Sequence, residues 1–110
     1  MTAEIQHKTI AEDGWQNFSL LEQLGNVGSE IHRALIRKEN KRAYEKSLER
    51  ALELMDLTIK DPRWKGRLKE ILRAKEMVVD AMYGGKEYGS TFEDLDKYFF
   101  QFALAARLKK

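Results

Sequence analysis

The apolar residues of this chain recur at helical spacing in four separate segments. In the first, aliphatic residues three and four positions apart predict an amphipathic helix from Ser19 to Lys38. This apolar stripe consists of Leu20, Leu24, Val27, Ile31 and Leu35. Ser19 and Glu22 have the spacing of a capping box, in which each side chain accepts a hydrogen bond from the backbone N–H of the other residue. The helix is therefore predicted to begin at Ser19.

Three further helices are predicted by the same periodicity and by their end signals. A second helix begins after Asn40, a residue type that caps helix N-termini, and runs to Lys60. A third begins at Pro62, where the missing N–H is not needed, and ends at Tyr83 before two glycines. A fourth begins at Ser90, the first residue of a second capping-box sequence, S-T-F-E. No segment alternates apolar and polar residues as a strand does.

Short connections between helices of similar length favour antiparallel neighbours. We therefore predict an all-α fold, an antiparallel up-down-up-down four-helix bundle over residues 19–110. Residues 1–18 are predicted to be an N-terminal arm that docks Trp15 and Phe18 over one end of the bundle.

Composition limits the classes of protein that the chain can represent. Its 110 residues fit one domain. The absence of cysteine excludes disulfides, thiolate catalysis and cysteine zinc sites. Because no run of about 18 apolar residues occurs, we expect a cytoplasmic protein with no membrane partner. A net charge of +2 does not by itself indicate an anionic partner.

One face of the first helix carries a mixed row of hydrogen-bond donors and acceptors, opposite the apolar stripe. The row consists of Glu22, Asn26, Ser29 and Arg33. It suits a polar ligand or a partner helix, and the alternative is an ordinary solvated face. On the flank of this helix lie Gly25 and Gly28, which each cost roughly 1 kcal/mol relative to alanine. Two such residues indicate that another backbone approaches the helix closely.

A basic cluster marks the start of the third helix. Lys65, Lys69 and Arg73 are spaced to stack on successive turns, although like charges at this spacing weaken a helix. Phosphate contacts are the simplest use for such a row, so the cluster is a candidate anion site. Solvated charge is the alternative, because no aromatic residue of the kind that single-strand binders use is interleaved with it.

The last helix carries an apolar ridge that faces away from its core stripe. The ridge consists of Phe100, Leu104 and Leu108. Burying such a side chain contributes about 1.5 to 3 kcal/mol, so the ridge predicts a subunit interface. Alternatively, the N-terminal arm covers it through Ile5, Ile10 or Trp15.

Lys75 projects near the centre of the apolar stripe of the third helix, where an unpaired charge is costly. That stripe consists of Trp64, Leu68, Ile71, Leu72, Val78, Val79 and Met82. It is therefore a candidate buried charge, explained by snorkelling, by a carboxylate partner or by a place in a functional pocket. Glu30 and Asp56 are the candidate partners. We predict a covered aliphatic stem and an acid within reach.

Few groups of residues in the sequence suit a metal site or a catalytic site. Glu30 and His32 lie on different helical faces, so no metal site or cofactor is predicted. Ser29 and His32 are neighbours at helical spacing, but one helix rarely aims such a pair for nucleophilic catalysis. An enzyme would require Glu30, Asp56 and Asp80 to converge between helices.

Several motifs together resemble a family of small uncharacterised prokaryotic proteins. They are G-W-Q-N-F-S-L-L-E-Q-L-G-N-V-G-S-E-I, R-A-L-E-L-M-D-L-T-I-K-D-P-R-W, E-Y-G-S-T and Y-F-F-Q-F-A, which span residues 14–106. The resemblance implies a helical bundle and no particular activity. A more distant similarity is to HEPN-type helical proteins, some of which act on RNA. Their arginine followed four to six residues later by histidine has no counterpart at His7 or His32.

These observations favour a non-enzymatic, homo-oligomeric helical bundle that acts by binding a partner, which can be another protein. The alternative is a module associated with nucleic acid or nucleotides through the basic start of the third helix. The two classes differ in salt dependence, since phosphate-driven binding weakens steeply as ionic strength rises.

Overall fold

The computed structural model describes residues 14–108, which form four α-helices and no strand. Helix α1 spans Leu20–Ile36, α2 spans Lys41–Lys60, α3 spans Leu68–Met82 and α4 spans Phe92–Leu108. A 3-10 helix, Pro62–Arg67, joins α2 to α3. The predicted all-α fold is confirmed.

The helices pack as a bundle in which α1 and α3 each lie between α2 and α4. The contacts of α1 with α2 and α4 are the most extensive, and α3 packs less closely. Three pairs of facing residues show that α1 and α4 are antiparallel: Gly25 and Ala103, Gly28 and Phe99, His32 and Asp96. The predicted up-down-up-down arrangement is therefore confirmed.

Two of the predicted helix starts are found with their caps. The Glu22 backbone N–H donates to Ser19 Oγ at 3.2 Å, and the Ser19 N–H donates to the Glu22 carboxylate at 2.9 Å. At the start of α2, the Ala43 N–H donates to Asn40 Oδ1. Capping residues therefore fix the starts of α1 and α2 at the positions that the sequence indicates.

The starts of the third and fourth helices differ from the prediction. The chain after Pro62 is a 3-10 helix with a non-helical residue at Trp64 (φ −101°, ψ 19°), so α3 begins only at Leu68. The cap of α4 is Thr91, whose hydroxyl accepts the Asp94 N–H. Ser90 does not cap this helix, because it is buried and its N–H donates to a carboxylate on α3.

The core lies between the apolar stripes of the four helices. Its fully buried large apolar residues are Val27, Ile31, Met55, Val78, Leu95 and Phe99. On α3, Ala74 is buried, whereas Leu72 is 41% exposed although the periodicity had placed it in the core stripe. Because α3 packs less closely than α1, its apolar stripe is only partly covered.

A very close approach joins α1 to α4. A Cβ atom on Gly28 would lie 2.6 Å from the Cβ of Phe99, and one on Gly25 would lie 3.0 Å from the Cα of Ala103. Real Cβ atoms do not come as near as 2.6 Å to a neighbour. The close backbone contact predicted for the two glycines is therefore present, and α4 is the helix that makes it.

We predict that Gly28→Ala lowers the free energy of unfolding by about 1 to 3 kcal/mol, since the added methyl group forces α4 away from α1. Denaturant unfolding followed by circular dichroism measures this loss. Gly66→Ala is the control, because a Cβ there meets nothing within 4 Å, and its expected effect is within about 0.5 kcal/mol. A Gly28→Ala protein as stable as the parent would contradict the close contact.

A buried polar network closes one end of the bundle. Gln23 is fully buried, and its amide nitrogen donates to the Trp15 carbonyl at 2.9 Å and to Asp61 Oδ2 at 3.1 Å. Its amide oxygen accepts the Trp64 indole N–H at 2.9 Å. The Trp15 indole N–H donates to Thr58 Oγ1. Gln23 therefore ties α1 both to the segment before it and to the turn between α2 and α3.

Asp61 is the charged member of this network. Its carboxylate accepts hydrogen bonds from the Arg63 backbone N–H and from the Arg63 guanidinium, with the shortest at 2.7 Å. These bonds, with a further one from Gln23, lower the pKa of Asp61 from 3.8 to about 2 although burial opposes ionisation. The ionised carboxylate is therefore the form that the fold stabilises.

This depressed pKa predicts the direction of acid sensitivity. The contribution of Asp61 is fully present above its ordinary pKa and is lost as pH falls through about 2. We expect Asp61→Asn to lower stability at pH 7 and to remove part of the decline in stability between pH 4 and 2. Glu49→Gln, on the exposed face of α2, should change neither. An acid unfolding curve unaltered by Asp61→Asn would contradict this role.

Candidate functional site

A groove runs along the outer face of the bundle between α1 and α4. Its main part has a volume of about 530 Å³ and contains Ser29, His32 and Arg33 from α1 with Asp96 and Phe100 from α4. A smaller cavity of about 210 Å³, which adjoins it at Ser29, contains Glu22 and Asn26. The groove thus brings the four residues of the predicted polar face together with the first residue of the apolar ridge.

Small residues produce the groove. Gly25 and Gly28 on α1 and Ala103 on α4 form its floor. Because these residues have no side chain beyond Cβ, the two helix backbones come into close contact and the groove lies above that contact. Phe100 is the largest apolar side chain that lines the groove.

Most of the polar face is bonded within its own helix. The Asn26 amide donates to the Glu22 carbonyl at 2.9 Å, and Ser29 Oγ donates to the Gly25 carbonyl at 3.3 Å. Arg33 pairs with Glu30, with Nη1 and Oε2 2.7 Å apart. A polar ligand would have to compete with these local bonds.

His32 has a partner on α4 that the sequence analysis did not identify. Its Nδ1 lies 3.1 Å from Asp96 Oδ1 across the groove. Ser29 donates to a backbone carbonyl and shares no hydrogen bond with His32, so a serine nucleophile and its base are not assembled. The antiparallel register of α1 and α4 places Asp96 opposite His32. Aligning the two helices in that register would have predicted the pair.

The apolar ridge on α4 lies open. Phe100 is 54% exposed, Leu104 42% and Leu108 78%. Trp15, one of the arm residues considered as a cover, is buried in the core at the Gln23 network instead. The other two, Ile5 and Ile10, lie outside the described residues. Within residues 14–108, no side chain covers the ridge.

The basic row at the start of the third helix is divided by the 3-10 segment. Lys65 lies in that segment, so only Lys69 and Arg73 stack on α3. All three are exposed and form no ion pair within residues 14–108. The Arg73 guanidinium lies over the Tyr88 ring, 5.3 Å from its centre. The expectation that this face lacks aromatic residues was therefore wrong, because the loop after α3 supplies one.

Lys75 is half-buried, not fully buried. Its Nζ donates to Asp56 Oδ1 at 2.7 Å, and the two side chains are 34% and 50% exposed. Asp56 was one of the two acids named as candidate partners. The ion pair joins α2 to α3 near the surface, where the desolvation cost of either charge is small.

The three acids considered for a catalytic site are each bound elsewhere. Glu30 pairs with Arg33, Asp56 pairs with Lys75, and Asp80 accepts backbone N–H groups of Glu87, Tyr88 and Ser90. Burial opposes ionisation of Asp80, but these backbone donors lower its pKa. In the described part of the chain, no three His, Asp or Glu side chains form a metal-binding group.

The fold and its surfaces define a four-helix bundle with a groove of mixed polarity and an apolar ridge on the α1–α4 side. Comparison with protein-family models, curated proteins and solved structures found no match to this chain. None of the helices in residues 14–108 combines the length and the apolar character that crossing a membrane requires.

We predict that the ion pair between Lys75 and Asp56 contributes little. A double-mutant cycle with Lys75→Met and Asp56→Asn should give a coupling energy of about 0 to 1 kcal/mol, because both side chains reach water. Thermal unfolding of the four proteins measures it. A coupling of several kcal/mol would show that the charges are desolvated and that Lys75 belongs to a buried site.

Proposed function

We propose that this protein is a non-enzymatic helical bundle that assembles with itself and acts by binding a partner. The observation that carries the proposal is the exposed ridge of Phe100, Leu104 and Leu108 on α4. Three large apolar side chains in register on one helical face are typical of an interface.

The energetic argument rests on the exposed surface of the ridge. Complete burial of a Phe or Leu side chain stabilises by about 1.5 to 3 kcal/mol. All three residues keep two fifths or more of their surface in water, so a second copy can bury much of it. Phe100 also lines the groove, so the ridge and the groove adjoin at this residue.

A second copy is the occupant that the proposal names. Self-association pairs apolar ridge with apolar ridge. The polar bonds within α1, such as Asn26 to the Glu22 carbonyl, stay intact at the edge of such an interface. Any binding partner then meets an assembly of bundles.

We expect Leu104→Glu to convert the assembly into a smaller species, because the carboxylate would enter an apolar contact. Sedimentation velocity over a range of protein concentrations measures the size, and circular dichroism checks that helix content is kept. Leu72→Glu is the matched control. Leu72 is 41% exposed on α3 and Leu104 is 42% exposed on α4, so the two changes place the same charge on equally exposed leucines.

The proposal requires that Leu72→Glu leaves the size unchanged. A parent protein that stays monomeric at high concentration would refute self-association. Equal dissociation by both variants would show that added charge, not the ridge, is responsible.

A further inference from the structure

A second open surface lies on the outer face of α3 and on the loop that follows it. A cavity of about 680 Å³ there has Tyr83 and Tyr88 as its aromatic lining and Lys75 and Lys86 as its basic lining. It contains none of the ridge residues, so it does not depend on self-association.

The two tyrosines are unusually open for aromatic side chains. Tyr83 is 74% exposed at the end of α3, and Tyr88 is 48% exposed in the loop. Each ring therefore exposes surface to a planar group, and the Arg73 guanidinium lies over one face of Tyr88. Exposed rings beside basic residues are typical of proteins that bind unpaired bases.

The Tyr88 ring is held in place before any ligand arrives. The Asp80 carboxylate accepts the backbone N–H groups of Glu87 and Tyr88 at 2.8 and 3.0 Å, which fixes the loop against α3. The Tyr88 hydroxyl donates to Glu76 Oε2 at 2.8 Å. A fixed ring loses little conformational freedom when a base stacks on it.

Charges of both signs surround the tyrosines. Glu70 pairs with Arg67, and Asp56 pairs with Lys75. Three acids line the cavity: Glu76, Asp80 and Glu87. The Asp80 carboxylate accepts backbone N–H groups, and the other two form no ion pair inside the described chain. Two cations without an ion pair in that chain lie at the rings: Arg73, over the Tyr88 ring, and Lys86, in the cavity lining. Lys69 lies one turn before Arg73 on α3, so a phosphate backbone could follow these three cations past the stacked bases.

We propose that this surface binds single-stranded nucleic acid. Bases stack on Tyr83 and Tyr88, while Lys69, Arg73 and Lys86 contact phosphates. A single strand is favoured over a duplex because stacking on a protein ring requires bases that are not already stacked and paired with each other. The ligand chemistry is shared by RNA and DNA.

Fluorescence anisotropy with labelled oligonucleotides tests the proposal. The probes are a mixed-sequence single-stranded RNA, the DNA of the same sequence and the DNA duplex, each titrated at several salt concentrations. We expect at least one single strand to bind more tightly than the duplex. Tyr83→Ala and Tyr88→Ala should each weaken that binding about tenfold, and Lys69→Gln should make its salt dependence shallower.

Two control variants separate stacking from folding and from general charge. Tyr88→Phe keeps the ring and removes only the hydroxyl that donates to Glu76, so it should weaken binding less than Tyr88→Ala does. Lys46→Gln removes an exposed positive charge on α2 and should leave affinity unchanged. Tyr83→Ala removes a ring that is mostly in water, so its circular dichroism should match that of the parent even if Tyr88→Ala disturbs the loop.

Several outcomes would overturn the proposal. One is a parent protein that binds neither single strand at low salt. Another is duplex bound as tightly as single strands, or affinity that falls in Lys69→Gln and is kept in Tyr83→Ala, since either shows attraction to phosphate without stacking. On an oligonucleotide too short to reach two copies, the same titration on Leu104→Glu is independent of the ridge, so loss of self-association leaves the expected binding intact.

Discussion

The contact of Gly28 with Phe99 is the constraint on which the α1–α4 side of this molecule depends. Because Gly28 has no Cβ, Phe99 on α4 packs directly against the backbone of α1. That spacing brings Asp96 to within 3.1 Å of His32, leaves the groove above the contact and turns Phe100 to its edge. Any larger residue at position 28 would separate the helices and alter all three features together.

Helix α3 is held by different means. Its apolar packing is less extensive than that of α1, and specific polar contacts supplement it at three points. The Gln23 network fixes the turn before it, the Lys75 ion pair joins it to α2, and Asp80 binds the loop after it. These contacts leave the outer face of α3 uncovered, which explains why Leu72 is exposed on a face that helical periodicity assigns to the core.

Helical periodicity and capping chemistry predicted the four helices, because both are properties of neighbouring residues. The 3-10 segment after Pro62 was missed since it depends on Gln23, far away in sequence, which accepts the Trp64 indole N–H. The same reason applies to the candidate site. The polar face and the ridge each lie on one helix, so the sequence of that helix predicts them. The contacts of Asp96 with His32 and of Tyr88 with Arg73 form only when the bundle is packed and the loop is folded, so the sequence did not predict them.

The two proposed surfaces lie on different elements and have different chemistry, and this separation has a consequence for binding. Association through the α4 ridge would leave Tyr83 and Tyr88 exposed on α3 in every copy. Several such surfaces in one assembly would engage one long strand with an affinity greater than that of a single bundle, since each contact after the first is intramolecular. Dispersing the assembly would then weaken binding to long strands far more than binding to short ones, although no residue that touches nucleic acid had changed.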